Sequence, residues 1–258
     1  MSTILFTLEG NIGKITLNRP EKFNSFNREM SLALQEALAS CGKDEKVRAV
    51  YITGSGKAFS AGQDLSEAIN PNGPGIRKIV SEHYNPIIVA IRSLMKPVLC
   101  AVNGVAAGAG ANIALACDLT VAGRSASFLQ AFSKIGWIPD SGGTYFLPRL
   151  VGMQRAAALM MLAEKVSAED AQRMGMIYQV FEDADLEKES WKLVTTLANM
   201  PTRALALTKQ LLSQSLDASL EDQLKHEEDL QVMAGATKDH KEGVNAFLEK
   251  RQAVFSGE

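Results

Sequence analysis

Little in this chain invites a nucleic acid, a membrane or a metal ion. Its 258 residues hold 27 lysines and arginines against 29 aspartates and glutamates, a net charge of −2, so no long-range field draws a polyanion or an anionic lipid surface. No apolar run reaches the roughly 18 residues that a bilayer span needs. Met1-Ser2-Thr3-Ile4-Leu5-Phe6 lacks the basic start and cleavage site of a secretory leader, and the cytoplasm is the expected location. Cys41, Cys100 and Cys117 are odd in number, widely spaced and set among apolar or small residues, which suits reduced core thiols better than a disulfide framework or a zinc site. His83, His226 and His240 are too scattered to gather round a metal and are expected to be surface or partly buried residues.

Three common catalytic signatures are also missing. No Gly-Lys-Ser or Gly-Lys-Thr follows a glycine run, which excludes a phosphate-binding P-loop. Gly108-Ala109-Gly110 lacks the three-glycine spacing and acidic partner of a dinucleotide fold. Ser60 sits in Phe-Ser-Ala-Gly, not in the Gly-X-Ser-X-Gly elbow of a serine hydrolase. No resident cofactor and no covalent serine chemistry are expected.

What is present is a chain 46% hydrophobic and 22% charged, enough to bury a substantial core. Ile4 to Leu17 alternates in strand fashion around a loose turn at Glu9 to Gly13. Met30, Leu34, Ala37 and Leu38 then recur at helical spacing within Asn27 to Ala39, and Arg48 to Gly54 follows as a buried strand. The pattern repeats with a helix from about Ile76 to Leu94, a strand Pro97 to Val102, a helix Ala109 to Cys117 and a strand Leu119 to Ala122. Strands alternating with helices predict an α/β fold with a mostly parallel sheet, whose sites gather at strand C-terminal ends. Helices are predicted at Gln154 to Leu162, Ser167 to Met174 and Leu186 to Asn199, from Pro201 onward, and through Leu220 to Arg251. The Asn70-Pro71-Asn72-Gly73-Pro74-Gly75 segment reads as a loop.

Two segments of small residues and one acid carry the chemistry. Ala61-Gly62 follows Phe59-Ser60, and Val105 to Ala111 is a run of small residues leading into a helix. Either loop alone reads as a tight turn or close packing, or as a place where a ligand meets backbone N–H groups. Asp64 precedes a helical run and reads as its cap. Asp140, in Trp137-Ile138-Pro139-Asp140-Ser141-Gly142-Gly143-Thr144, reads as a helix N-cap or as a base. Capping would lower its pKa, whereas an apolar wall from neighbours such as Trp137 and Ile138 would raise it.

Along essentially its whole length the chain resembles the crotonase superfamily, the enoyl-CoA hydratase/isomerase family. The motifs are Thr16-Leu17-Asn18-Arg19-Pro20, Ala58-Phe59-Ser60-Ala61-Gly62-Gln63-Asp64-Leu65, Lys96-Pro97 leading to Asn103-Gly104, and Ile138-Pro139-Asp140-Ser141-Gly142-Gly143-Thr144. The resemblance implies a crotonase-like β–β–α superhelical core over about 1–200 and a C-terminal helical trimerisation region over 201–258, assembled as a homotrimer or dimer of trimers. It implies an acyl-CoA thioester as substrate, coenzyme A being part of that substrate. The N–H groups of Ala61 and Ala109 would hold the thioester oxygen; Lys22, Phe23, Gly62, Gln63, Asp64 and Leu65 would border the coenzyme, and Phe247 and Lys250 a neighbour's coenzyme.

Hydratases of this family place glutamates where this chain has Asn112 and Phe132. Neither residue can transfer the protons of hydration. Asp140 matches the acid of the isomerase branch, and Val105 to Gly110 with Tyr84-Asn85-Pro86 is most similar to the phenylacetate-pathway isomerases, which turn ring-1,2-epoxyphenylacetyl-CoA into oxepin-CoA. The expected activity is acyl-CoA isomerisation through a thioester enolate, on that substrate or on a Δ3-enoyl-CoA. The alternatives are an enoyl-CoA hydratase and a 4-chlorobenzoyl-CoA dehalogenase, whose Trp-His is replaced here by Phe132-Ser133. A non-catalytic coenzyme A-binding or RNA-binding homologue is a further alternative; the intact Asp140 opposes the former and the lack of a dense basic helix the latter.

Overall fold

A computed structural model describes residues 2–258. The chain enters through an antiparallel hairpin, β1 (Ile4–Glu9) and β2 (Ile12–Leu17), that turns at Gly10-Asn11. Helix α1 (Arg28–Lys43) buries Met30, Leu34, Ala37, Leu38 and Cys41, and the Asn27 side chain caps it by accepting from the Met30 N–H.

Three β–β–α turns follow. The first runs β3 (Ala49–Gly54), β4 (Ala58–Ser60), α2 (Leu65–Ala68), α3 (Gly75–Lys78), a π-helical stretch Ile79–Tyr84 and α4 (Asn85–Ser93). The second is β5 (Val98–Val102), β6 (Val105–Ala107) and α5 (Ala109–Leu115); the third is β7 (Leu119–Gly123), β8 (Ser127–Leu129), a 3-10 turn Ala131–Ile135, α6 (Gly143–Val151) and α7 (Met153–Leu162). After them come β9 (Lys165–Ser167), α8 (Ala168–Arg173), β10 (Gln179–Phe181), α9 (Leu186–Asn199), α10 (Thr202–Gln214), α11 (Leu220–Gly235) and α12 (Lys238–Leu248).

The first strand of each turn joins a six-stranded sheet ordered β1-β2-β3-β5-β7-β10, parallel beyond the hairpin; the second joins a four-stranded sheet ordered β4-β6-β8-β9. Because both faces of the large sheet are covered at its centre, β3, β5 and β7 are largely apolar and buried, whereas the edge strand β1 is exposed beyond Ile4. Val50, Ile52, Val98, Cys100 and Val102 face the main core with α1, α4 and α5, while Ala49, Tyr51, Leu99 and Ala101 face a second cluster with Val194 and Ala198 of α9. The α/β, crotonase-like superhelix expected from the sequence is the fold observed.

Several elements differ from their sequence-based outlines. The helix expected over Ile76 to Leu94 is three pieces with a π-helical middle, and the Asn70–Gly75 loop is a turn between α2 and α3. The tail breaks at Ala236-Thr237, where the Thr237 hydroxyl caps α12 by accepting from the His240 N–H at 3.0 Å. His83 is fully buried. All three cysteines are free and buried, and among the described residues no helix is long and apolar enough to cross a membrane. Helix α10 is tied to the core by the buried Lys209, whose Nζ lies 2.8 Å from Asp118 Oδ2. Asp118 also meets Arg92 at 3.0 Å.

Candidate active site

Parallel pairing of β4, β6 and β8 brings their C-terminal ends to one place, with Ser60 beside Ala106 and Ala107 beside Leu129. The three segments that leave those ends, Ala61-Gly62-Gln63, Gly108-Ala109 and Ala131-Phe132, line a cavity of about 170 Å³ together with Leu65, Lys134, Ile135, Trp137 and Asp140. Sheet geometry, not local sequence, makes the two small-residue loops neighbours. Gly62 has φ +89, and a Cβ there would lie 2.8 Å from the Ala107 carbonyl and 3.4 Å from the Ala109 nitrogen. A side chain at this position would therefore pry the loops apart.

The hydrogen bonds decide which amides are free to serve a ligand. The Ala61 N–H donates to the Phe23 carbonyl at 2.9 Å, and the Gly62 N–H donates to Ser60 Oγ at 3.2 Å. The Gln63 N–H has no acceptor among the described residues, although its neighbours Gly62 O and Asp64 N both pair with Phe26. Ala109 is the first residue of α5, and its N–H has no intrahelical partner; the first helical bond runs from the Asn112 N–H to the Gly108 carbonyl at 3.1 Å. Within the two small-residue loops, the amides left without an acceptor are thus those of Gln63 and Ala109. The expectation for Ala61 is corrected: it lines the cavity, but its donor is already committed.

Asp140 is half-buried and lines the same cavity. It is not a helix cap, since Gly142 is the N-cap residue of α6. Burial pushes the Asp140 carboxyl above the ordinary aspartate range, and the Ser141 hydroxyl, which donates to Oδ1 at 2.9 Å, offsets that only in part. Of the apolar neighbours named from sequence, Trp137 lines the cavity while Ile138 is 83% exposed and turned away from it. Phe132 supplies wall that sequence proximity did not suggest. Asp140 is the one carboxylate on the lining. Asn112, fully buried, is not on it.

The remaining expected residues fall in three places. Gly62, Gln63 and Leu65 line the cavity. Asp64 does not: its carboxylate caps α2 by accepting from the Ser66 N–H and pairs with Arg19 at 3.0 Å, so it braces the loop. Lys22 and Phe23 are exposed beside that loop, Phe23 through its carbonyl bond to Ala61. Phe247 and Lys250 are exposed at the end of α12, outside the cavity of their own chain.

A pocket whose wall carries two unspent amides and one half-buried acid is suited to stabilising negative charge on oxygen and to moving a proton. The enoyl-CoA hydratase/isomerase profile matches residues 7–258, and the chain belongs to that family. A 1,2-epoxyphenylacetyl-CoA isomerase from Escherichia coli (strain K12) is 46% identical over 260 residues, covering 100% of this chain and 99% of that one. A protein named "Probable enoyl-CoA hydratase" from Rhodobacter capsulatus is 44% identical over 255 residues, with 99% and 98% covered. The crystal structure of an enoyl-CoA hydratase from Polaromonas sp. JS666 superposes with a TM-score of 0.91 at 33% identity, covering 98% of this chain and 99% of that one.

Proposed function

We propose that the chain isomerises an acyl-CoA thioester through an enolate, with Asp140 as the single proton-transfer group and the Gln63 and Ala109 N–H groups as the oxyanion hole. The observation that carries this reading is that Asp140 is the one carboxylate on the cavity wall, while Asn112 and Phe132 stand where a hydratase would need its acids. With the thioester oxygen between the two amides, Asp140 removes a proton from the carbon chain near the carbonyl. The C–H electron pair flows into the thioester, and the resulting enolate oxygen is held by the two N–H groups. Return of the same proton at another carbon moves the double bond, so a Δ3-enoyl-CoA becomes a Δ2-enoyl-CoA. With ring-1,2-epoxyphenylacetyl-CoA the same deprotonation feeds rearrangement of the ring π system to oxepin-CoA. The likeness to the Escherichia coli isomerase supports the ring substrate, and the aromatic walls Phe132 and Trp137 suit a compact unsaturated group.

Incubation with crotonyl-CoA, a 3-enoyl-CoA, epoxyphenylacetyl-CoA and 4-chlorobenzoyl-CoA tests the reading. Conversion of the second or third is expected, and robust hydration of the first overturns it. Asp140→Asn should cut isomerisation by about 10²–10⁴-fold with coenzyme A binding retained; unchanged turnover removes Asp140 from the mechanism. The direction of its pKa fixes two further signs. Activity should fall on the acid side at a pH above the ordinary aspartate range. A carboxyl raised in the folded state penalises the fold above that raised pKa, so Asp140→Asn should increase Tm at neutral pH, the gain fading as pH falls through the raised pKa and gone below the ordinary aspartate range.

The same reading keeps the assembly as a homotrimer or dimer of trimers. In support, α11 buries none of its residues within one chain, and Phe247 and Lys250 are left to reach a neighbour's coenzyme.

A further inference from the structure

Asn112 is wholly buried and is the last polar side chain expected at such a place in a small-residue helix. Its Nδ2 donates to the Asp140 carbonyl at 2.8 Å, and its Oδ1 accepts from Gln130 Nε2, also at 2.8 Å. Gln130 is 5% exposed, sits at the exit of β8, and keeps its own Oε1 without a partner. An orphaned buried acceptor is costly, so the pair is not explained as filler that apolar residues would supply more cheaply. From the other side, a Cβ at Gly143 would lie 2.4 Å from Asn112 Nδ2. The absence of a side chain at 143 is what admits the amide to the Asp140 carbonyl. That carbonyl also accepts the Gly143 N–H at 2.9 Å, closing the turn whose next residue, Ser141, is held at φ +51.

We infer that Asn112 and Gln130 form a buried strut that positions Asp140 by its main chain, with Gly143 as the gap through which the strut reaches. The strut runs from the exit of β8, through the middle of α5, to the acid-bearing turn before α6. It therefore fixes the acid relative to the helix whose first amide, Ala109, faces the cavity. Asn112 is not idle for want of a carboxylate; it lies off the cavity lining, and its amide does mechanical work on the acid-bearing turn. A carboxylate at 112 could not replace it, because two acceptors would then face each other. The inference rests on the proposed role of Asp140 and names the residues that make that role geometrically possible.

The test compares Asn112→Leu, Gln130→Met and Gly143→Ala with the native enzyme and with Asp140→Asn. Turnover is measured per coenzyme A-binding site, so that unfolded protein does not count, alongside KM, Tm and the deuterium isotope effect at the carbon that loses its proton. A displacement of about 1 Å can cost about a hundredfold in rate. Asn112→Leu is expected to lower kcat at least about tenfold with KM within about threefold and a larger isotope effect, since proton transfer becomes the slow step. Gln130→Met should do the same more weakly. Gly143→Ala should follow Asn112→Leu even though alanine favours α6, and it reads the strut if Asn112→Leu does not fold. Lowered Tm with unchanged kcat per binding site and unchanged isotope effect overturns the strut. Full turnover by Asp140→Asn overturns the mechanism itself, whereas a dead Asp140→Asn beside fully active strut variants overturns the strut alone.

Discussion

The two loops that offer an amide to the cavity are built in opposite ways. The Ala61-Gly62-Gln63 loop is braced by side chains from distant parts of the chain. Ser60 Oγ donates to the Asn24 carbonyl at 2.8 Å, Asn24 Nδ2 donates to the Ala58 carbonyl at 2.8 Å, and Arg19 pairs with Asp64 at 3.0 Å. Among the described residues no side chain bonds to Gly108 or Ala109 themselves. The position of their loop follows from strand register and helix geometry, with the Gly108 N–H donating to the Leu129 carbonyl at 2.8 Å. One donor is held by many replaceable contacts, the other by backbone that tolerates almost no change. Single substitutions among the side chains that brace the first loop should therefore erode function in steps, and a single change in the backbone of the second should remove it.

The sharpest break is Ala109→Pro. Proline is well tolerated at the first position of a helix, which Ala109 occupies, and the preceding Gly108 has φ +51 and ψ −127, the mirror image of the extended geometry preferred before proline. The substitution should delete one N–H and leave α5 in place. Losing an oxyanion-hole donor costs about 10²–10³-fold in kcat. Circular dichroism and Tm near the native values, together with that loss, are the expected result; native turnover would take the Ala109 amide out of the hole.

Arg19→Leu should have a smaller and graded effect. The Arg19–Asp64 pair is mostly sheltered from solvent, so its loss should cost about 2 kcal/mol, between the values for exposed and fully buried pairs. KM should rise more than kcat falls, because the loop loosens while the acid stays where it is. Burial alone would raise the Asp64 carboxyl, but hydrogen bonds from Ser66 and Arg19 outweigh it and hold the carboxyl below the ordinary range. That stabilisation is present at neutral pH and lost as pH falls through the lowered pKa. The Tm gap between native enzyme and variant should accordingly narrow in acid, and a gap independent of pH would remove the ion pair from the account.

The same contrast explains what the sequence could and could not reveal. The long strands, α1 and α9 were legible because apolar spacing over many residues has one reading. The strands Ala58–Ser60, Val105–Ala107 and Ser127–Leu129 were not, since three residues carry no period, yet their pairing is what assembles the cavity. Asp140 and Ala109 were legible as an acid and a helix-entry amide. That Gln63 and not Ala61 keeps a free amide was not legible, because the difference turns on the Phe23 carbonyl. That carbonyl is aimed by two left-handed residues, Phe23 at φ 50 and Asn24 at φ 53; Asn tolerates such a backbone, but Phe does not announce it. Asn112 was legible only as a missing carboxylate; its bonds to Asp140 and Gln130 join segments 28 and 18 residues away.

The mildest change probes how far the bracing of the first loop extends. Tyr84 ends the π-helical stretch and is fully buried, and its hydroxyl donates to Gln63 Oε1 at 2.8 Å. Gln63 Nε2 in turn donates to Glu67 Oε2 at 3.1 Å, so the side chain of the donor-bearing residue is gripped at both ends. Burial, with the nearby charges of Asp140, Glu67 and Asp64, pushes the Tyr84 hydroxyl well above its usual pKa. It therefore remains a proton donor across the working range. Tyr84→Phe keeps the ring, including its edge contact with Phe26 at 6.0 Å, and removes one hydrogen bond worth about 1 kcal/mol, roughly a fivefold effect on kcat/KM. The loss should be the same at every pH where Asp140 is ionised. A much larger loss, or one that changes with pH, would mean that the hydroxyl acts on the substrate itself and not through Gln63.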